Sequence, residues 1–402
     1  CARAGWHQAG DCSVPIIGVI DRTGWVVRDV DSLMAMTAPT PSPSARPDVE
    51  RLKGYSAPLE GRRGLLRLDF NENTLGPSPA VAEAIRSFPA DQIAVYPEYD
   101  GLREAVISNL QASPAGLAHE LLPQQVGLFN GVDAAIHAVI HAYGAAGDTL
   151  LTTSPTFGYY APCAGMQGMV IEAVPHDMPG FRFPLEAMRA ALQRGPKILM
   201  LCNPNNPTGT RLSAEQVLQL ASSAPDTLVV VDELYEAFTG DSVLPHADFS
   251  VHANLLVLRS LAKTAGLAGL RMGFAIGSAE VVDRVSRVTG PYDVNSLAVA
   301  AAFAALSDQA YTDRYVAEVI RARDYLVTEM TRSGAAFHCD GGNYFLLWPR
   351  SPAQQVEQQL RDAGILVRSM AGKPQIDGSL RVSIGTLDQM QRFWDCYRQL
   401  ES

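Results

Sequence analysis

The chain has 402 residues, which is long for one hydrophobic core and therefore predicts two domains. A formal net charge of -10 argues against a general nucleic-acid binder, and no run approaches the roughly 18 consecutive apolar residues that a membrane helix requires. The six cysteines show no CxxC spacing and no accompanying His cluster, so neither a metal site nor a disulfide framework is indicated. Free thiols in a cytoplasmic protein are the expectation.

The first 60 residues differ in composition from the rest. Residues 37–47 are rich in Pro, Ser and Ala, and we expect residues 1–60 to form a partly disordered N-terminal extension. The apolar run at 16–20 is short and lacks a basic start and a cleavage site, so a signal peptide is not indicated.

Short apolar runs alternate with helical stretches between about 120 and 290. The apolar runs lack period-two alternation between apolar and polar residues. This pattern predicts strands buried on both faces of a mostly parallel sheet in an α/β fold. The runs lie at 149–153, 169–174, 197–202, 228–232, 255–259 and 272–277. Apolar spacing predicts a helix over 135–143 ended by Gly144, and another helix beginning at Ser213.

Longer helical patterns follow at 297–306 and 312–331, and then strand patterns near 344–348 and 380–384. This change of style predicts a smaller α+β domain. We expect it to comprise residues 61–95 plus 295–402, beside a large domain of residues 96–294.

The loop after the 255–259 run presents Lys263 among small residues, with Arg271 eight positions later. Ligands of open parallel sheets gather at the carboxyl ends of strands. A confined lysine there loses its charge readily and can attack an aldehyde as an amine nucleophile. The alternative is a solvated loop lysine.

Two further strand ends carry polar groups. Residues 203–209 read Asn-Pro-Asn-Asn-Pro-Thr-Gly, more constraints than a plain turn needs. The 228–232 run ends in Asp232, with Tyr235 three positions later. A buried carboxylate needs a cationic or strong donor partner, and a protonated pyridine nitrogen would serve. A helix N-cap is the alternative for Asp232.

Gly131 opens the helix that contains residues 135–143. A glycine turn at a helix start offers backbone N–H groups and the positive end of the helix dipole, which suit a phosphate. A simple N-cap at Asp133 is the alternative. Phe157 follows another strand end, where it could stack on a planar ring or pack in the core.

The order of these pieces resembles the fold-type I aminotransferases of class I/II, and most closely the histidinol-phosphate aminotransferase family. The resemblance runs from about Asn71 to the C-terminus. It is carried by Asn71-Glu72-Asn73, Tyr96-Pro97, residues 203–209, Asp232-Glu233-Leu234-Tyr235, and residues 260–273, 291–295, 364–368 and 380–386.

The resemblance implies pyridoxal 5'-phosphate as cofactor and a large domain with a mostly parallel seven-stranded sheet. Lys263 would form the Schiff base and then shuttle a proton, and Asp232 would pair with the pyridine nitrogen. The other implied cofactor contacts are Asn206 and Tyr235 to the phenolic oxygen, Gly131, Val132, Ser260 and Arg271 to the phosphate, and Phe157 to the ring. Tyr96 would reach the phosphate of a neighbouring subunit, which implies a homodimer.

At the substrate end, the resemblance implies that Arg381 grips a carboxylate or phosphate. Arg368 is placed as in members that bind histidinol phosphate, and Asn343 would assist. The chain departs from the family at Val132 and Ala134, where the family often has Ser and Glu; these changes alter the residues around the cofactor and the substrate wall that faces the dimer partner. It departs again at Asn73-Thr74-Leu75 and at Ala262, which stands where Ser is frequent before the lysine.

These expectations combine into a ping-pong transamination. Glutamate is the expected amino donor, and imidazole acetol phosphate, the oxo partner of L-histidinol phosphate, is the leading acceptor. Two alternatives stay open: an aromatic (phenylalanine) aminotransferase, and a lyase like threonine-phosphate decarboxylase. A non-catalytic cofactor-binding regulator is not favoured, because the extension before residue 60 is neither basic nor helix-turn-helix in pattern.

Overall fold

Seven strands form the main sheet of the protein, in the order β4-β10-β9-β8-β7-β5-β6. The strands from β5 to β9 pair in parallel, and β10 runs antiparallel to both β9 and β4. The prediction of a mostly parallel seven-stranded sheet is therefore confirmed. The strands are β4 (Val126–Asn130), β5 (Thr149–Ser154), β6 (Val170–Pro175), β7 (Ile198–Cys202), β8 (Leu228–Asp232), β9 (Leu255–Ser260) and β10 (Met272–Gly277).

The predicted burial was wrong for one strand of the main sheet. The 169–174 run was expected to be covered on both faces, yet β6 is an edge strand with Val170 55% and Ile171 39% exposed. An edge strand has one neighbour, and apolar composition alone does not reveal how many neighbours a strand has. The central strands β7 and β8 are buried at every position, as predicted.

This computed structural model describes residues 20–21, 24–25, 42–52 and 60–401. The chain divides into units of residues 1–50 and 51–402. The first contains the antiparallel pair β1 (Ile20–Asp21) and β2 (Gly24–Trp25), and the short helix α1 (Pro47–Glu50). The predicted partial disorder of residues 1–60 concerns mostly positions outside the described residues, and the predicted boundaries between large and small domains stay a prediction.

Helices cover the main sheet and begin at polar caps where the sequence supplies them. Ser213 accepts from the Gln216 N–H at 3.2 Å, and the Gln216 side chain accepts from the Ser213 N–H at 2.9 Å, which confirms the predicted start. The helices up to residue 286 are α2 (Pro79–Arg86), which packs against the helix at 296–307, and α3 (Leu102–Gln111), α4 (Val132–Tyr143), α5 (Tyr160–Met166), α6 (Leu185–Leu192), α7 (Ala214–Ser223) and α8 (Ala279–Ser286).

A second sheet lies in the C-terminal part, as predicted from the change of pattern. It is antiparallel, in the order β11-β12-β15-β14, and β3 pairs in parallel with β13. Its strands are β11 (Ala336–His338), β12 (Tyr344–Trp348), β14 (Arg368–Ser369) and β15 (Leu380–Ser383), whereas β3 (Leu66–Arg67) and β13 (Ile365–Leu366) form a separate two-stranded sheet. The helices of this part of the chain are α9 (Ser296–Ser307), which packs into the main-sheet core, and α10 (Gln309–Ser333), α11 (Ala353–Asp362) and α12 (Leu387–Leu400).

The pairing of β3 with β13 positions the segment that follows β3. The Ser383 N–H donates to the Leu68 carbonyl at 2.9 Å, so residues 69–73 run along the end of β15. Asn71 adopts a left-handed φ of 55°, which turns this segment toward the carboxyl ends of the main sheet. No helix in the described part of the chain has the length and apolarity that a bilayer crossing requires.

Candidate active site

Lys263 lies on the loop after β9, at the carboxyl edge of the main sheet. Its Nζ donates to the Phe70 carbonyl at 2.9 Å. Burial, reinforced by the nearby Arg381 guanidinium, lowers the pKa of this amine from 10.5 to about 8. A lysine in this environment is partly neutral near physiological pH and can act as a nucleophile. The alternative of a solvated loop lysine does not fit this burial.

Asp232 is the last residue of β8, and its side chain is buried. The Tyr160 hydroxyl donates to Oδ2 at 2.8 Å and the Leu234 N–H to Oδ1 at 3.2 Å. Burial raises the pKa of Asp232 to about 6 against these hydrogen bonds, and the Lys263 charge also acts to lower it. No cation within the described residues forms an ion pair with this carboxylate, so a cationic ligand group would stabilise it.

The alternative role of Asp232, capping the turn that follows β8, is met in part: the carboxylate bonds an N–H of this turn, but Asp232 is not the N-cap residue of a helix. The short helical turn Glu236–Phe238 is preceded by Tyr235 as its N-cap residue, and no side chain caps it. Asp232 instead bonds the N–H two residues on, which holds the turn that leaves β8.

The Tyr235 hydroxyl is the centre of a buried polar network. It accepts from Asn206 Nδ2 at 3.2 Å and from Asn71 Nδ2 at 3.1 Å. Because both amides donate, the hydroxyl proton is left to donate to another acceptor. Arg381 Nη1 donates to Asn206 Oδ1 at 2.9 Å, so the network links the main sheet to β15.

Gly131, Val132 and Arg271 meet at the start of α4. Gly131 is the N-cap residue with φ 80°, and no side chain caps this helix. A Cβ on Gly131 would lie 2.6 Å from Arg271 Nη2, so only glycine allows the guanidinium to pack here. Free helix N–H groups beside an arginine suit a phosphate. The alternative of an Asp133 N-cap is wrong, because Asp133 lies in the first turn and pairs with Arg271 at 2.8 Å.

Ser260 lies at the end of β9 and holds the lysine loop. Its Oγ donates to the Met272 carbonyl and accepts from the Ala262 N–H, both at 3.0 Å. The hydroxyl proton is thus already engaged within the chain. Its predicted contact with a phosphate stays a prediction.

Two predicted aromatic contacts lie in different places. Phe157 is half-buried and meets the Tyr160 ring edge-on at 5.4 Å, which places it beside the group that bonds Asp232. Tyr96 is 72% exposed and stacks on Tyr292 at 4.3 Å, so it lies at the surface rather than among the buried site residues of its own chain. The structure of one chain therefore does not bring Tyr96 to these residues.

Arg368 and Arg381 stand directly opposite each other on the antiparallel strands β14 and β15. Side chains of opposite residues share one face of a sheet, and like charges so placed are destabilising unless an anion lies between them. Arg381 Nη2 also donates to the Asp69 carbonyl at 2.5 Å. Two guanidiniums on one face suit a doubly charged or bidentate anion.

Asn343 is fully buried just before β12, where its carbonyl accepts from the Ile384 N–H at 2.7 Å. Its Nδ2 donates to the Asn71 carbonyl at 3.2 Å, while its Oδ1 has no hydrogen-bond partner in the described part of the protein. A buried acceptor without a partner offers a place for a ligand donor.

Sequence reasoning missed three residues that contact the predicted set. Phe70 accepts from Lys263 through its carbonyl, Asn71 bonds Tyr235, and Tyr160 bonds Asp232. Asn71 stood in a recognised motif, so it could have been assigned a role. Tyr160 and Phe70 carry no local signal, because their contacts join positions 72 and 193 residues apart.

Comparisons with known proteins identify the family of this chain. Residues 63–395 match the family described as aminotransferase class I and II. The chain belongs to the class I and II aminotransferases. A histidinol-phosphate aminotransferase of Symbiobacterium thermophilum is 35% identical over 364 residues, which cover 87% of this chain and 96% of that protein.

Solved structures of this aminotransferase fold agree. Histidinol-phosphate aminotransferase from Sinorhizobium meliloti in complex with pyridoxal-5'-phosphate has a TM-score of 0.76 at 24% identity, covering 91% of this chain and all of that chain. L-threonine-O-3-phosphate decarboxylase from Porphyromonas gingivalis has a TM-score of 0.72 at 23% identity, and the match covers 84% of this chain and 99% of that chain. At these identities the likeness shows the fold, and it spans enzymes with different reactions.

The aminotransferase depends on pyridoxal phosphate, as the sequence predicted, and the residues present fit this cofactor. Asp232 is a buried carboxylate suited to the protonated ring nitrogen, and the Tyr235 hydroxyl has a proton to donate to the phenolic oxygen. Gly131 and Arg271 form a cradle that a Cβ would fill, with the donors that a phosphate requires. Lys263 would supply the amine, since its lowered pKa favours the neutral form.

The lowered pKa of Lys263 predicts how cofactor uptake depends on pH. Because the ammonium is disfavoured in the fold, the neutral amine predominates above about 8 and declines about tenfold per pH unit below that. The rate at which cofactor-free protein gains the visible band of bound pyridoxal phosphate should therefore rise from pH 6 and level off above about 8.

The Arg381 guanidinium helps to lower this pKa, so Arg381→Gln should move the midpoint of the profile to higher pH. A rate that still climbs at pH 10 in the parent protein, as for an ordinary lysine, would contradict the assignment.

Proposed function

We propose that this aminotransferase exchanges an amino group between glutamate and a phosphate-bearing partner, with L-histidinol phosphate and imidazole acetol phosphate as the substrate pair. The observation that carries the proposal is the facing of Arg368 and Arg381 on β14 and β15. Two guanidiniums on one face bind a phosphate or, in the other half of the cycle, the side-chain carboxylate of glutamate. The name of the Symbiobacterium relative supports the same substrate.

When bound, the cofactor supplies an electron sink for the bond that breaks at the substrate α-carbon. The chain contributes positioning and proton transfer. Lys263 holds and moves the proton at that carbon, since its pKa of about 8 lies near the working pH. Arg381, fixed by Asn206 and the Asp69 carbonyl, orients the anionic end of the substrate.

We assign the remaining contacts as follows. Gly131, Val132, Ser260 and Arg271 hold the cofactor phosphate, Phe157 stacks on the ring, and Asn206 and Tyr235 bond the phenolic oxygen. Asn343 assists substrate binding through its buried amide, whose oxygen has no partner in the described residues.

We also infer a cytoplasmic homodimer in which Tyr96 completes the phosphate site of the partner subunit. Tyr96 is 72% exposed, and it lies beside exposed Ile93 and Val95, at 67% and 60%. Exposed apolar side chains grouped in this way are typical of a subunit interface. Sedimentation equilibrium should give twice the 43.2 kDa of one chain.

Replacing Arg368 with alanine tests whether the enzyme is adapted to a phosphate-bearing substrate or to an aromatic amino acid. We expect Arg368→Ala to lower kcat/KM for L-histidinol phosphate by about 10- to 100-fold, because a charge-assisted pair with the phosphate is lost. The value for phenylalanine should change less than about threefold. Single-turnover spectra with each amino donor measure both values.

Arg350→Ala provides the matched control, since Arg350 is an exposed arginine just after β12. Equal losses for both substrates in Arg368→Ala would favour a phenylalanine aminotransferase. The same assay with threonine phosphate, with product analysis, tests the decarboxylase alternative: release of carbon dioxide rather than an oxo acid would establish it.

A further inference from the structure

The ring of Phe70 lies next to two arginines. The Cζ atoms of Arg62 and Arg368 are 4.4 Å and 5.6 Å from the ring centroid. Both distances lie within the range of cation–π attraction, which favours a guanidinium near an aromatic face. Phe70 is half-buried, and its carbonyl accepts from Lys263, so the same residue contacts the lysine through its backbone and the substrate-end arginine through its side chain.

The charge of Arg62 is balanced locally. Its guanidinium bonds Asp69 at 2.7 Å and Glu72 at 2.8 Å, and Arg67 approaches Glu72 at 3.2 Å. Burial opposes ionisation of Glu72, but the Arg62 hydrogen bond and charge hold its pKa below the ordinary value. Two carboxylates thus match two guanidiniums, and this cluster fixes both ends of the short segment that carries Phe70.

Arg368 differs from Arg62 in having no such partner. Its guanidinium forms no ion pair or hydrogen bond within the described residues, and it lies over the Phe70 ring. An aromatic ring can hold a guanidinium in place without neutralising its charge, whereas a carboxylate would compete with an incoming anion. The arrangement keeps one arginine neutralised and the other available.

We propose that Phe70 is a positioning residue that holds Arg368 opposite Arg381 for a phosphate or carboxylate group of the substrate. Arg62, fixed by Asp69 and Glu72, in turn holds the Phe70 ring. The inference deepens the proposed function and rests on it for the identity of the phosphate ester. The placement of Arg368 as an anion-binding group depends only on the contacts described above.

The test compares Phe70→Leu, which removes the ring and keeps an apolar side chain, with Phe70→Tyr, which keeps the ring. Each holoenzyme is assayed with L-histidinol phosphate and with L-histidinol, which lacks the phosphate. Phe70→Leu should raise KM about tenfold for the phosphate ester and less than about twofold for L-histidinol, with kcat little changed. Phe70→Tyr should stay within about twofold of the parent for both.

A second readout does not depend on the proposed substrate. Inorganic phosphate should compete with whichever amino donor the parent accepts, and Phe70→Leu should raise its inhibition constant about tenfold while Phe70→Tyr leaves it unchanged. If phosphate shows this dependence but histidinol phosphate is no substrate, the proposed function fails and the role of Phe70 stands.

Three results would overturn the role of Phe70. The first is that inorganic phosphate does not inhibit the parent competitively. The second is that Phe70→Leu raises KM equally for L-histidinol and its phosphate ester. The third is that Phe70→Tyr is as impaired as Phe70→Leu. Thermal unfolding of each holoenzyme is measured beside the assays. A general loss of folding would lower the activity with L-histidinol and with its phosphate ester equally, which is the second contradicting result.

Discussion

Lys263→Ala is expected to lose the visible absorbance of covalently bound pyridoxal phosphate, and its transamination rate should fall by about 10⁴-fold or more. The physical reason is that we propose two roles for this lysine, as the amine that bonds the cofactor and as the base that moves the proton at the substrate α-carbon. Its amine is suited to both, because burial and the Arg381 charge lower its pKa to about 8.

Lys197→Ala is the control for this variant. Lys197 is exposed and lies just before β7, so its removal should leave the spectrum and the rate unchanged. Absorbance spectra after reconstitution and single-turnover rates with glutamate measure both variants. A Lys263→Ala protein that keeps the parent's visible band would show that another amine bonds the cofactor.

Asp232→Asn should lower the transamination rate by on the order of 10³-fold with little change in overall folding. An asparagine has the same shape but cannot keep a ring nitrogen protonated, so the cofactor would withdraw electrons less effectively. Asp226→Asn is the control, because Asp226 is exposed in the turn before the same strand.

The pKa of Asp232 adds a stability test with a defined sign. Burial raises the folded-state pKa from 3.8 to about 6, so this group destabilises the cofactor-free fold increasingly as pH rises through that range. At pH 7.5 the cofactor-free Asp232→Asn protein should therefore unfold at the same temperature as the parent or higher. Adding cofactor should raise the Tm of the parent more than that of the variant. A lower Tm for the cofactor-free variant, with unchanged activity, would assign Asp232 a purely structural role.

The strands of the main sheet were largely predictable, and the reason is composition. The run at 228–232 consists of buried apolar residues followed by a charged one, and β8 has those bounds. Strand β4 (Val126–Asn130) was not predicted, because Gly127 and the terminal Asn130 interrupt its apolar character. Its place in the sheet comes from pairing with β10, about 145 residues later, which local patterns do not encode.

The site residues, like the strands, include some that the sequence predicted and some that it did not. Lys263 and Asp232 were found because unusual polar residues at the ends of buried strands stand out in a sequence. Tyr160 and Phe70 were not found, because each owes its position to a distant partner and neither residue type is unusual where it occurs. The facing of Arg368 and Arg381 needed the strand register, since thirteen positions separate them and β14 has two residues.

Mass spectrometry of the borohydride-reduced holoenzyme tests the central claim most directly, because reduction fixes the cofactor to the amine that carries it. The chain has four lysines, at positions 53, 197, 263 and 373, so peptide mapping separates every candidate. We expect the cofactor mass on the peptide that contains Lys263 and on no other. Finding it on Lys53, Lys197 or Lys373, or on no lysine, would contradict the assignment of this loop as the catalytic centre.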